Sequence, residues 1–251
     1  VTSGPIADLY TQLHVAVESG QVLFPLSASH ILETSKRHDP TSRSHLADTQ
    51  AKLSRGYVYR SRTGRLEIEV RTTLHRLFGT DPPKLSQHWA IAHGFWQAFE
   101  PMDELIASSA EVQRIMRINA FIDPADLYVD YMKNQDDVRR RAAHSKLVAG
   151  TVDLVGRIEA RRARLTGESV NLRRRAYAVQ LFMDHQDTFI RILNSLGHSL
   201  EQLKALGERA VRALVEDVPT LNVEAEMAAR LESKTGSIET NDVFDMQSFY
   251  T

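Results

Sequence analysis

"QVLFPLSASHILET", residues 21–34, decides how the rest of the chain is read. Its first half is a short apolar run with β-branched and aromatic members, bounded by Gly20 and Ser27, and it predicts a buried strand of the parallel type. Its second half opens at Ser27, a residue type that caps helices, and predicts a helix to about residue 37 with His30 and Glu33 on its first two turns. A helix that follows a strand this closely starts near the strand's carboxyl end, where open α/β folds place their sites.

Upstream, Ile6, Leu9, Tyr10, Leu13 and Val17 fall at helical spacing over residues 5–19, and Gly20 suits the end of that helix. Downstream, Asp39 followed by Pro40 signals a cap and first turn for a helix reaching about residue 54. "GYVYRS" is compatible with a second short strand or a turn, residues 67–78 read as helix, and "GTDPPK" is a firm break. Beyond Lys84 strand signals nearly vanish. Helical patterns cover 85–99, 102–121, 125–166, 169–196 and 201–215, with 138–166 and 169–196 reading as a long antiparallel pair broken near Gly167. A break at Pro219, a short helix and the loop "KTGSIET" lead to "NDVFDMQSFYT". There Asn241 is a suitable cap, and Asp242 and Asp245 stand three residues apart on one face of the first turn. A structural role exists for these acids as well, because the helix dipole favours negative charge at an N-terminus.

A hydrophobic fraction of 42% supports a real core, and formal net charge is -1, from 31 Lys+Arg against 32 Asp+Glu. That balance excludes a global attraction to nucleic acid and leaves only local basic patches. One such patch joins Arg157, Arg161, Arg162, Arg164, Arg173, Arg174 and Arg175 against Glu159 and Glu168; the plain alternative is a solvated helix face. The absence of cysteine excludes disulfides, zinc–thiolate sites and thiol nucleophiles, so any metal must sit on carboxylates, histidines or carbonyls. No run approaches the ~18 apolar residues of a spanning helix, and residues 1–20 lack the pattern of a signal peptide, which makes the cytoplasm the default location. Phosphate-loop, dinucleotide-fingerprint, His-Glu-x-x-His and Gly-x-Ser-x-Gly motifs are absent from the sequence.

Two separated segments, "VLFPLSASHILE" and "NDVFDMQSFY", resemble parts of PIN-like nuclease domains: a strand with its following helix, and a later helix whose N-terminal aspartates complete an acidic cluster. More narrowly, they are similar to an uncharacterised bacterial PIN-like group with an early "PLS..H..E" and a late "ND..D", in which "LADTQAKLSRG" and "VPTLNVEAEM" also fit. The resemblance implies an α/β fold, a parallel PIN-like sheet with a large all-helical insertion, helix-dominated overall. Residues 1–80 and 218–251 would form the catalytic part and 81–217 the insertion. It implies Glu33, Asp242 and Asp245 as catalytic acids holding Mg²⁺ or Mn²⁺, with Ser27 and His30 behind the metal or against phosphate. The chain departs from the pattern in lacking a first strand with its aspartate and in stopping inside the last helix, so it reads as an internal piece of a longer protein with an incomplete site.

Clustered carboxylates suit phosphodiester hydrolysis because a divalent cation held between them activates water and offsets charge on the phosphate. The resemblance implies metal-dependent endonuclease action, on RNA before DNA, in a toxin or phage-defence setting; no membrane is expected, and a homo-oligomer through the helical region is a further expectation. Arg161, Arg162, Arg164, Arg173, Arg174 and Arg175 are the nucleic-acid candidates. Ser27 also has the ordinary role of a helix cap, His30 that of a packed histidine, and Asp48 that of an exposed or supporting acid. Two other classes stand beside this one. A metal-independent HEPN ribonuclease would use Arg139 with His144 or Arg191 with His198; a helical scaffold would need none of the acids.

Overall fold

The computed structural model describes residues 4–100, 122–234, 236–239 and 241–243. The expected helix over 102–121 and Asp245 lie outside the described residues. In chain order the elements are α1 (Pro5–Glu18), α2 (Ala28–Ser35), α3 (Pro40–Ser54), β1 (Tyr57–Tyr59), α4 (Arg62–Leu77), β2 (Ile91–His93), a 3-10 turn (Phe95–Ala98), α5 (Pro124–Lys133), α6 (Asp137–Arg164), α7 (Val170–Asp184), α8 (Gln186–Ser195), α9 (Leu200–Ala205), α10 (Glu208–Glu216) and α11 (Pro219–Ser233). None of these helices is long and apolar enough to cross a membrane.

The described residues do not form the parallel sheet expected from the opening stretch. Among the described residues the one sheet is the antiparallel pair β1–β2, with Tyr57 opposite His93 and Tyr59 opposite Ile91. Of residues 21–26, Leu26 alone pairs, in an isolated parallel bridge to Val58. Its N–H donates to the Tyr57 carbonyl at 3.0 Å, and its own carbonyl accepts the Tyr59 N–H at 2.9 Å. Two physical reasons account for this. Pro25 has no N–H to give to a ladder, and β1 is only three residues long with its other edge taken by β2. The apolar run is also not buried as a central strand would be, since Val22 is 39% and Phe24 37% exposed.

Helix dominance holds, with different boundaries. The 85–99 stretch is not a helix but a loop, β2 and the 3-10 turn, because "WAIAH" supplies strand formers and Gly94 at φ 112 breaks any helix. The 125–166 run is interrupted between Lys133 and Asp137, the 169–196 run at His185, and the 201–215 run at Gly207, whose φ is 54. Instead of lying along α6 as an antiparallel pair, α7 packs chiefly along α11. Ala178 on α7 and Ala225, Ala228 and Ala229 on α11 are all buried, and small side chains let the two axes approach closely.

The chain divides into two compact units, one made of residues 1–61 and 86–146, the other of 62–85 and 147–251. In the first, α3 lies along α5, α1 and α2 rest on α3, and β1, β2 and the 3-10 turn close the core of Ile31, Ala47, Val58, Phe95, Tyr128 and Met132. In the second, α4, α7, α8, α10 and α11 surround Leu66, Val70, Leu74, Phe189, Leu193 and Leu221. A smaller cluster there joins Ile158 of α6 to Leu231, Ile238 and Val243.

Candidate functional site

In the first unit, Ser27 caps α2. Its Oγ accepts the His30 backbone N–H at 3.3 Å, and the His30 ring accepts the Ser27 N–H on Nδ1 at 3.1 Å. Two turns of α2 then place His30, Glu33 and Lys36 three residues apart, on neighbouring positions of one face. That face and α3 border an open cleft of about 430 Å³ lined by Ser29, His30, Glu33, Thr34, Lys36, Arg37, Leu46 and Gln50. At its side the buried hydroxyls of Thr34 and Tyr128 meet the Gln50 side-chain carbonyl at 2.8 and 2.5 Å. Burial pushes the Tyr128 phenol up, which keeps it a neutral hydrogen-bonding group.

The turn that carries Lys36 and Arg37 is fixed from beneath by two buried arginines. Arg43 donates from Nε to the Met132 carbonyl at 2.9 Å and from Nη1 to the Arg37 carbonyl at 2.6 Å. Arg140 donates from Nη1 to the carbonyls of Ser35 and Lys36, at 3.1 and 3.2 Å, and also pairs with Asp137. These carbonyls end α2 and need donors, so the arginines satisfy them and set the turn. Neither arginine stands out in the sequence, and neither do Lys36, Arg37 and Gln50. For Lys36 and Arg37 a signal existed, namely their positions three and four residues after Glu33.

Of the three expected metal acids, the two described, Glu33 and Asp242, each have a lysine partner. Glu33 is paired with Lys36 Nζ at 2.5 Å. Asp242, in the second unit, accepts Lys234 Nζ at 2.6 Å on both oxygens and the Glu239 N–H at 2.8 Å. The Lys234 ammonium, with that backbone N–H, holds the Asp242 carboxyl below the usual carboxylate range. Asp48 lies 3.9 Å from Lys133. Among the described residues no group of three or more His, Asp or Glu side chains is arranged to hold a metal ion. Each of these carboxylates is therefore offset by a lysine within its own unit, whereas Mg²⁺ and Mn²⁺ need several oxygens around one point.

Four of the six candidate nucleic-acid arginines are structural fasteners of the second unit. Arg161 donates to Glu232 at 2.7 Å and lies over the Tyr177 ring, 4.0 Å from its centre. Arg162 reaches the carbonyls of Lys234 and Gly236 at 2.6 and 2.5 Å. Arg173 donates to the Glu232 carbonyl at 2.6 Å, and Arg174 bonds Asn222 and pairs with Glu226 at 3.7 Å. Arg164 and Arg175 are exposed on the surface. Of the HEPN pairs, Arg191 is ion-paired with Glu67 and the His198 ring stacks on Phe78 at 3.8 Å. The side chain of Arg139 lies outside the described residues, and His144 is half-buried.

The chain matches no protein-family model, no curated protein and no solved structure.

Proposed function

We propose that the protein is a helical binding module that engages a phosphate-bearing partner, single-stranded RNA in the first instance, through the α2–α3 cleft. One observation carries this reading: Lys36, Arg37 and the His30 ring line an open space in which Glu33 is the one acid among the described residues, and that acid is already paired. Phosphate oxygens seek N–H donors of positive charge, and a cleft with two cations against one carboxylate supplies them. The buried Arg43 and Arg140 hold the turn bearing those cations in place before any ligand arrives, which reduces the ordering cost of binding. RNA is chosen as the probe on the strength of the family resemblance, and binding is put before metal-assisted cleavage because Glu33, the acid of this cleft, is already paired with Lys36.

Fluorescence anisotropy of labelled single-stranded RNA against salt concentration tests the reading. Saturable binding is expected at low salt, and replacing both Lys36 and Arg37 by Ala lowers the salt slope by roughly 1.4, about 0.7 for each lost phosphate contact. An unchanged slope, or no binding at all, refutes it. Glu33→Gln separates this reading from endonuclease action. As a binding module the variant frees Lys36 and tightens RNA binding up to about fivefold, the equivalent of ~1 kcal/mol. A Mn²⁺-dependent cut that disappears in Glu33→Gln and in EDTA establishes the nuclease instead.

A further inference from the structure

We propose that His30 reads the ligand as a fixed N–H donor and takes no part as a base. This rests on the binding reading above and concerns the chemistry of the same cleft. In a reciprocal helix cap the third helical residue is ordinarily Glu or Gln, whose side chain accepts the cap residue's N–H. Here a histidine fills that position, with Nδ1 accepting the Ser27 N–H at 3.1 Å and lying 3.0 Å from Ser27 Oγ. A ring nitrogen that accepts a hydrogen bond carries no proton, so the neutral imidazole holds its proton on Nε2.

That assignment gives the two ring nitrogens separate tasks. Nδ1 belongs to the helix, and Nε2–H, across the ring, makes no hydrogen bond to any other described residue. Gln or Glu serves the cap equally well, but neither projects a second N–H from a rigid ring beside Lys36 and Arg37. The ligand atom opposite is a hydrogen-bond acceptor, which in an RNA is a phosphate oxygen. For His30 to act as a base through Nε2, its proton would have to move to Nδ1 and break the bond from Ser27.

The experiment uses the whole chain and compares wild type with His30→Gln, which keeps an acceptor for the Ser27 N–H and removes the imidazole donor. Thermal unfolding of the two coincides if the cap is kept, and RNA binding weakens about tenfold, the scale of one hydrogen bond to a charged group. A purely structural His30 moves the unfolding midpoint and leaves affinity alone, which overturns the proposal. Side-chain ¹⁵N spectra of the free protein give a second readout: a proton on Nδ1 also overturns it. If wild type binds no RNA at low salt, the binding reading fails and takes this one with it. Tight binding by wild type and His30→Gln alike removes this one alone.

Discussion

Helix α11 starts without a cap of its own, and the fold supplies one from elsewhere. Its cap residue, Val218, has no side-chain oxygen, and Pro219 has no N–H, so the Thr220 N–H is the first donor that needs a partner. Glu69 of α4 supplies it, accepting the Thr220 N–H on Oε2 at 2.8 Å and the Thr220 hydroxyl on Oε1 at 3.0 Å. Both residues are buried. Glu69→Ala leaves a buried N–H unpaired, at about 1–3 kcal/mol, and forfeits a second hydrogen bond of about 1 kcal/mol. The sum, roughly 2–4 kcal/mol, is expected in urea unfolding of the second unit at pH 7. Glu69→Gln keeps an acceptor for the N–H and lets the hydroxyl turn to accept, so its loss is held to about 1 kcal/mol or less.

The pH dependence follows from burial, which outweighs the two Thr220 bonds and raises the Glu69 carboxyl above its usual range. A group raised on folding contributes its stability in full below its unfolded pKa, near 4.3, and loses it as pH climbs through the folded value. Wild type therefore loses ground to Glu69→Gln as pH rises above about 4. An alanine variant as stable as wild type refutes the capping role. A glutamine-minus-wild-type difference that ignores pH refutes the account of the buried charge.

Arg140→Met strips donors from the Ser35 and Lys36 carbonyls in the first unit, and should cost roughly 2–4 kcal/mol in urea unfolding; a loss below about 0.5 kcal/mol means that water replaces the guanidinium. Arg161→Ala leaves Glu232, whose side chain is 1% exposed, without its ion-pair partner, so a loss of about 3–5 kcal/mol is expected in the same assay. Arg164→Ala and Arg175→Ala, on exposed positions, should stay within about 0.5 kcal/mol of wild type. If either exposed variant proves as damaging as Arg161→Ala, the division of this segment into fasteners and free surface is wrong.

Much of the secondary structure was legible because its signals are local. Ser27, Asp39 and Ser169 each cap the helix that follows them, and Pro40 and Pro219 each open one. The candidate site was half legible: His30 and Glu33 do share a cleft. Gln50 and the arginines that hold the turn were not, because Gln50 meets Thr34 across 16 residues of chain, Arg43 meets the Met132 carbonyl across 89 and Arg140 meets Ser35 across 105. The arginine-rich segment misled for the same reason. Charge density along a helix says that cations are present, and says nothing of whether acids and carbonyls on α11 already hold them.

By itself, the sequence determined where the helices after Ser27, Asp39 and Ser169 begin, that thiol and zinc–thiolate chemistry is impossible, and that no overall charge draws the chain to nucleic acid. Each of these depends on residue type or on neighbours within a turn. Only the tertiary structure decided that residues 21–26 form a single bridge in place of a strand, that Glu33 pairs with Lys36 and Asp242 with Lys234, and that Glu69 caps a helix 151 residues away. A strand exists only when another segment offers it a ladder, and here β1 offered Leu26 two hydrogen bonds. A carboxylate, likewise, takes its role from the charges brought beside it: for Glu33 and Asp242 those are lysines.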